Sequence, residues 1–388
     1  MSLIRVRTRF PCERTPARTP QRPTFGLAHG VIMTIVHADC YAYALPLRRP
    51  LTLAGQPVAE REGGLLRLET ADGHVGWGDA APLPGFSAES RADAVAALVE
   101  AVRGLPGTSL AAQEEGVSEQ ADVPSRPASA QFAVEAALRE LRDERAGQNE
   151  EGDEARVPLN ALITDDASDL RAQGRRLREE GFRAVKLKVG RRAVARDADR
   201  TRALRAALGP DVALRLDANR AWAFGEAVTF ADAVGDVSLA YIEEPLAEPG
   251  RLGALAERTG LPIALDETTR ERSPGELSGQ APVAAVVLKP TLLGGIAASR
   301  RWVDWARSVG ATPVVSSSYE SGVGTRLLVR LAAAHPTVPA GLSAHMRLAE
   351  DVLRPRLTLD GPAVEVEQAQ AGRVDTSRLS PVESATYP

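Results

Sequence analysis

From Val157 onward the chain alternates short apolar runs with longer amphipathic stretches, and this alternation constrains the fold more than any other feature. Candidate strands are 157–163, 183–189, 212–217, 239–244, 262–266, 284–289 and 312–316, with helical segments such as Asp197–Ala207 and Ala297–Val309 between them. Such repetition predicts a parallel sheet with helices packed outside it. Seven or eight units between 151 and 344 predict a (β/α) barrel rather than an open sheet. After 345 the alternation stops. Leu357-Thr358-Leu359 and Val364-Glu365-Val366 read as strands that return to the N-terminal part of the chain.

That N-terminal part has a different texture. Residues 1–32 carry six Arg and four Pro with no periodic apolar pattern, and read as a disordered or non-native extension. Strand-like runs follow at Ile35-Val36, Leu65–Glu69 and Val75–Trp77, with a turn at Ala71-Asp72-Gly73. Helical patterns occupy about 88–103 and 128–147, around a Pro/Ser/Glu-rich loop over 105–127. The polar, acidic stretch Gln148–Arg156 marks a boundary. The expected organisation is an α+β cap over 33–150, a barrel over 151–344, and a segment over 345–388 that returns to the cap.

Composition excludes several partners. With 47 basic and 51 acidic residues the formal charge is −4, which gives no reason to expect nucleic acid or an anionic membrane as a partner. No apolar run approaches the ~18 residues of a membrane span. The two cysteines, Cys12 and Cys40, form no metal or redox spacing and suit a reducing cytoplasm.

Lysine usage is more telling. Only three of the 47 basic residues are lysines: Lys186, Lys188 and Lys289. A chain that uses Arg wherever charge alone matters should keep Lys where Arg cannot substitute, and a permanently protonated guanidinium cannot act as a general base. Two of the three lie in the run Ala184–Val189, and the third ends Ala284–Leu288.

The polar residues ending the predicted barrel strands are Lys188, Asp217, Glu243, Asp266, Lys289 and Ser316, at spacings of 29, 26, 23, 23 and 27. Each interval is one strand–helix unit, so successive residues should stand on adjacent strands at the C-terminal rim, where barrel enzymes keep their active sites. Asp217, Glu243 and Asp266 would then repel one another unless a cation neutralised them. Oxygen donors select Mg²⁺, or Mn²⁺ as its relative, over zinc. The neighbours Glu244 and Glu267 should point away from the partners they follow, because adjacent strand residues face opposite sides. Lysines before and after the acids suggest proton abstraction next to a carboxylate, with Lys188 as base, Lys186 as a cation beside it, and stabilisation of an enediolate. Schiff-base chemistry is the competing role for a barrel lysine, but it leaves the carboxylates unexplained.

These residues resemble a known family. Lys-x-Lys at 186–188, Leu216-Asp217-Ala218-Asn219, Ile242-Glu243-Glu244-Pro245, Leu265-Asp266-Glu267 and Leu288-Lys289-Pro290 resemble the enolase superfamily, its muconate-lactonizing-enzyme-like branch, and most closely the o-succinylbenzoate synthases. The resemblance covers about 34–360. It implies a (β/α)7β TIM-like barrel with an α+β capping domain, Asp217, Glu243 and Asp266 as Mg²⁺ ligands, Lys188 as base and Lys289 as a cation on the opposite face. Arg61-Glu62-Gly63 and Ala81–Ser87 are similar to cap segments that close over substrate. Arg215, Asn219 and Arg220-Ala221-Trp222 also look synthase-like; each arginine either touches substrate or makes a supporting salt bridge. The hydroxyls and backbone amides of Ser316–Ser321, Ser316 and Ser318 among them, are expected to hold a succinyl carboxylate. Asp79 stands where a Glu is more usual, and Tyr319 where Leu or Ile is commoner.

The implied reaction is dehydration of 2-succinyl-6-hydroxy-2,4-cyclohexadiene-1-carboxylate in menaquinone biosynthesis, by a cytoplasmic enzyme whose partner is a small-molecule carboxylate. Self-association into a homo-oligomer stays open. The same parts suit an N-succinylamino acid racemase, with Lys188 and Lys289 as bases on opposite faces. A non-catalytic carboxylate-binding barrel is a third, weaker reading, since a pure binder has no need of a paired Lys-x-Lys.

Overall fold

The computed structural model describes residues 33–53, 55–110, 126–146, 155–164, 169–277 and 283–387. These lie in one compact unit, Met33–Pro388. The expectations for 1–32, for Cys12 and for most of the 105–127 loop and the 148–156 boundary fall outside the described residues.

The chain opens with β1 (Ile35–Leu53), β2 (Gln56–Thr70) and β3 (Val75–Ala80), followed by α1 (Arg91–Gly104) and α2 (Ala128–Ala146). Alternation along β1 and β2 turns Ala38, Cys40, Leu66 and Leu68 towards α1 and α2, where all four are fully buried. The Gly-Trp-Gly of β3 has a steric cause. A Cβ on Gly76 would lie 2.1 Å from the Ala137 carbonyl oxygen and one on Gly78 1.8 Å from that of Ala133, so only glycine lets α2 rest on this strand. Ser90 caps α1 in a reciprocal pair with Asp93.

The barrel begins with β4 (Arg156–Pro158) and β5 (Asn160–Ile163). It continues through α3 (Leu170–Glu179), β6 (Ala184–Lys188), α4 (Val194–Leu208), β7 (Ala213–Asp217), α5 (Phe224–Val234), β8 (Tyr241–Glu243), α6 (Leu252–Thr259), β9 (Ile263–Leu265) and α7 (Thr268–Glu271). The last units are β10 (Ala285–Leu288), α8 (Pro290–Leu293), α9 (Ile296–Ser308), β11 (Thr312–Val315) and α10 (Gly322–Ala333). Strands β5 to β11 form one parallel sheet in sequence order. Ala340 and Gly341 close the ring as a minimal eighth strand. Ala340 bridges Leu159, and Gly341 bridges Ser316. The fold is therefore a (β/α)7β barrel with an α+β cap.

The barrel strands send alternate apolar residues outward, while Tyr241, Ala264, Ala285 and Val314 form a separate small cluster. Val185 and Leu187 of β6 and Leu214 and Leu216 of β7 have no exposure and pack on the surrounding helices. Each such side chain contributes about 1.5–3 kcal/mol. The polar residues between them point into the barrel. No helix among the described residues is long and apolar enough to cross a membrane.

The C-terminal segment departs from expectation. Leu357–Leu359 forms no strand: its leucines are buried in the seam between cap and barrel, which produces a period-two pattern without a ladder partner. Val364 lies in β13 (Ala363–Glu365, after β12 at Leu353–Arg354), which pairs with β4 of the barrel rather than with the cap. After α11 (Val366–Gln370) and β14 (Arg373–Val374), the strand that rejoins the cap is β15 (Ser380–Thr386), antiparallel to β1 at the sheet edge. Its sequence is polar and largely exposed, so it lacks the apolar alternation that would reveal it.

Candidate active site

The parallel register fixes the site. Lys188, Asp217 and Glu243 stand side by side on β6, β7 and β8, with Lys186, Arg215 and Tyr241 level with one another two residues below. Asp266 and Lys289 follow directly after β9 and β10, and Ser316 after β11. Three acids and three lysines thus share one rim. The acids are almost fully buried, at 2%, 1% and 2% exposure for Asp217, Glu243 and Asp266.

The ammonium groups interleave with the carboxylates. Lys186 Nζ donates to both Glu243 oxygens at 3.0 and 3.2 Å and lies 3.0 Å from Asp217 Oδ2. Lys188 Nζ donates to Asp217 Oδ2 at 2.6 Å and to Asn219 Oδ1 at 2.7 Å. Lys289 Nζ donates to Asp266 Oδ2 at 2.5 Å. Burial opposes the charge of Lys186, but Glu243 and Asp217 outweigh it and hold the ammonium well above the ordinary lysine range. Burial would raise Asp217, yet Lys188 and Lys186 pull it below the usual carboxylate range. Glu243 is pushed up to about 8 by burial, against the pull of Lys186 and with the help of its neighbours Asp217 and Asp266.

Only one of the paired acids separates as expected. Glu243 faces the lysines, while Glu244 has no exposure and turns into the loop after β9. Glu267 stays with the site, because it lies beyond the end of β9 in a helical turn: it accepts from Asn219 Nδ2 at 3.1 Å, and burial beside Asp266 raises its carboxyl. Among the described residues, no three acidic, imidazole or thiol groups converge on one point as they stand. The donor set is nonetheless oxygen only, on three adjacent strands, which is the chemistry of a hard divalent cation.

The remaining residues divide between rim and interior. Ser316 Oγ donates to the Gly341 carbonyl at 3.1 Å, while the buried Ser318 Oγ has no hydrogen-bond partner among the described residues. Arg215 runs inside the barrel, donating to Asn160 Oδ1 at 2.9 Å and to the Pro339 carbonyl at 2.7 Å, with its guanidinium over the Tyr241 ring. Arg61, 1% exposed, donates to the carbonyls of Ala81, Pro82 and Tyr319 and so ties the cap loop to the rim. Arg270 does the same at Phe86, bonding its carbonyl and lying 5.5 Å over its ring.

Sequence reasoning missed a buried polar seam. Tyr43 Oη donates to Asp79 Oδ1, and Ser321 donates to Asp79 Oδ2 from both its N–H and its hydroxyl, each at 2.8 Å. Glu320 accepts from Thr291 Oγ1 at 2.7 Å and from the Ser318 N–H at 2.6 Å. The available signal was Asp79 itself, an acid inside the glycine-rich strand beneath α2.

Comparison with known proteins places the chain in a family. The family model for the enolase C-terminal domain-like fold matches residues 169–372, and that for the MenC N-terminal domain matches 35–141. An o-succinylbenzoate synthase of Yersinia enterocolitica is 35% identical over 76% of this chain and 85% of its own length. One from Citrobacter koseri is 37% identical over 76% and 86%. A magnesium-complexed enolase superfamily structure from Roseovarius nubinhibens matches the fold with a TM-score of 0.74 at 22% identity, over 92% of this chain and all of the other.

Proposed function

We infer the activity from one premise: the chain belongs to the enolase superfamily and, within it, to the o-succinylbenzoate synthases. It is a lyase that dehydrates 2-succinyl-6-hydroxy-2,4-cyclohexadiene-1-carboxylate to 2-succinylbenzoate in menaquinone biosynthesis. The observation that carries the residue roles is the pair of lysine cations flanking three buried carboxylates on neighbouring strands.

Asp217, Glu243 and Asp266 would hold Mg²⁺, with Mn²⁺ as an alternative suited to the same oxygen donors. Bound there, the ion supplies positive charge against the substrate carboxylate and against the charge that grows as the alpha proton leaves. Lys188 is the base. Its Nζ is the more open of the two on β6, with 26% of its side chain exposed against 12% for Lys186. It takes the proton alpha to the ring carboxylate, and the electron pair left on carbon makes an enediolate. Lys289 presents its ammonium to that dianion from the far side. Collapse of the enediolate expels the 6-hydroxyl as hydroxide, and the ring becomes aromatic. Lys186, held charged by Glu243 and Asp217, keeps a cation beside the base throughout.

Dehydration assayed after chelation, and again after adding back each metal, tests the reading. Activity should vanish and return with Mg²⁺ or Mn²⁺. Full activity in stripped protein, or rescue by Zn²⁺ alone, would overturn the metal role. Racemisation of N-succinylamino acids, run in parallel, should be the slower reaction; racemisation without dehydration would overturn the synthase assignment.

A further inference from the structure

Four non-glycine residues among those described have a left-handed backbone, and three of them directly follow the acid-bearing strands: Asn219 (φ 44°), Arg220 (φ 59°) and Glu244 (φ 36°). Such conformations persist only where the surroundings over-determine them. Here the surroundings are one hydrogen-bonded unit. Arg220 N donates to the Glu244 carbonyl at 2.6 Å. Glu244 Oε1 accepts the backbone N–H groups of Asp266 at 3.0 Å and Thr268 at 2.8 Å, and Oε2 accepts Thr268 Oγ1 at 3.1 Å and Arg220 Nε at 3.2 Å. The guanidinium of Arg220 then reaches both oxygens of Glu271 at 2.6 and 2.8 Å. The turns after β7, β8 and β9 are thereby joined, and each begins at or beside one of the three carboxylates.

We propose that Glu244 and Arg220 are positioning residues, a buried tie between successive rim turns that fixes the spacing of Asp217, Glu243 and Asp266 so that they share one divalent cation. The inference rests on the metal reading above and adds residues that touch neither ion nor substrate. The two arms of the tie differ in kind. Oε1 holds the backbone of Asp266 itself, a contact that a glutamine carbonyl reproduces. Oε2 holds Arg220, a contact that a glutamine NH₂ cannot make, because both groups are donors.

Calorimetric titration of Mg²⁺ into chelator-treated, folded protein tests this. Glu244→Ala loses both arms and should bind Mg²⁺ about 10–100-fold more weakly. Glu244→Gln keeps the Asp266 arm and should lose less than about tenfold. Arg220→Met should lose at least as much as Glu244→Gln, because it also drops the Glu271 pair, and the double variant Glu244→Gln/Arg220→Met should bind no more weakly than Arg220→Met, since both substitutions break the Glu244–Arg220 contact. Wild-type affinity in Glu244→Ala, or equal weakness in Ala and Gln, overturns the tie. If the Ala variant does not fold, additive losses in the double variant overturn it. Failure of the wild-type protein to bind Mg²⁺ overturns the metal reading, and the purpose of the tie with it.

Discussion

Two groups of buried carboxylates lie within this molecule, and the fold gives them different partners. At the barrel rim, Asp217, Glu243 and Asp266 each have a lysine ammonium within 3.0 Å. At the seam between cap and barrel, Asp79 and Glu320 have no exposure and bond only to hydroxyls and backbone N–H groups among the described residues. Burying an unpaired charge costs several kcal/mol. The rim meets that cost with cations. The seam has only hydroxyl and N–H donors: burial pushes Asp79 from 3.8 up to about 6 and raises Glu320 as well, with no ammonium among the described residues beside either to oppose it. Four charge-conserving or charge-removing changes bear on this contrast.

The largest effect is expected at Lys188. Lys188→Arg keeps the charge but puts a guanidinium, which cannot serve as a general base, in place of the amine, so the rate of dehydration should fall by about 10²–10⁴. Mg²⁺ and substrate affinity should survive, as measured by calorimetry and by KM. Retained exchange of the alpha proton in deuterated solvent would show that Lys188 is there for charge alone, as the seam acids are there for structure alone.

Next is the seam. The folded state of Asp79 holds its proton more tightly than the unfolded state, so stability falls as pH rises from 3.8 through about 6. The full contribution is about 3 kcal/mol. Asp79→Asn does not ionise, and its NH₂ can donate to Tyr43 Oη while its carbonyl accepts from Ser321. Urea denaturation of both proteins between pH 4 and 7 should show the difference growing in favour of Asn. A difference that shrinks with pH would place a charged acid at the seam and erase the contrast.

The mildest effects belong to the two remaining lysines. Lys289→Arg should retain part of the dehydration rate, since it preserves the cation facing the enediolate, but abolish any racemisation that needs a second base. Lys186→Arg keeps the cation beside Lys188 and should act only through geometry. Equal loss of both reactions in Lys289→Arg, or greater damage from Lys186→Arg than from Lys188→Arg, would redistribute the roles.

The rim was legible in the sequence for a specific reason. Arginine replaces lysine nearly everywhere in this chain, so Lys186, Lys188 and Lys289 stand out, and the strand-to-strand spacing of Asp217, Glu243 and Asp266 maps directly onto a parallel register. The turns between them were not legible. Nothing in Asn219-Arg220 or Glu244 announces a positive φ, because the conformation is imposed by bonds from residues 22 or more positions away. The same holds for Arg215, whose bonds to Asn160 and the Pro339 carbonyl span 55 and 124 residues. Partners at that separation leave no periodic trace. Strand β15 was missed for a different reason: an edge strand exposed to water needs no apolar alternation to pair through its backbone.

The two-residue closure at Ala340–Gly341 has a topological consequence. Strands β5 to β11 are each zipped to a neighbour that follows within one helix, and Ser316 to Gly341 continues the series, so seven of the joints form between residues close in sequence. The final joint brings Leu159 to Ala340: the Asn160 N–H donates to the Ala340 carbonyl and the Ala340 N–H to the Pro158 carbonyl, across almost half the chain. A ring assembled this way has one clasp and seven hinges. The loop entropy of the whole circle falls on that clasp alone, and the clasp sits beside Ser316, so the completeness of the circle and the shape of the rim at that point are set by the same few backbone hydrogen bonds.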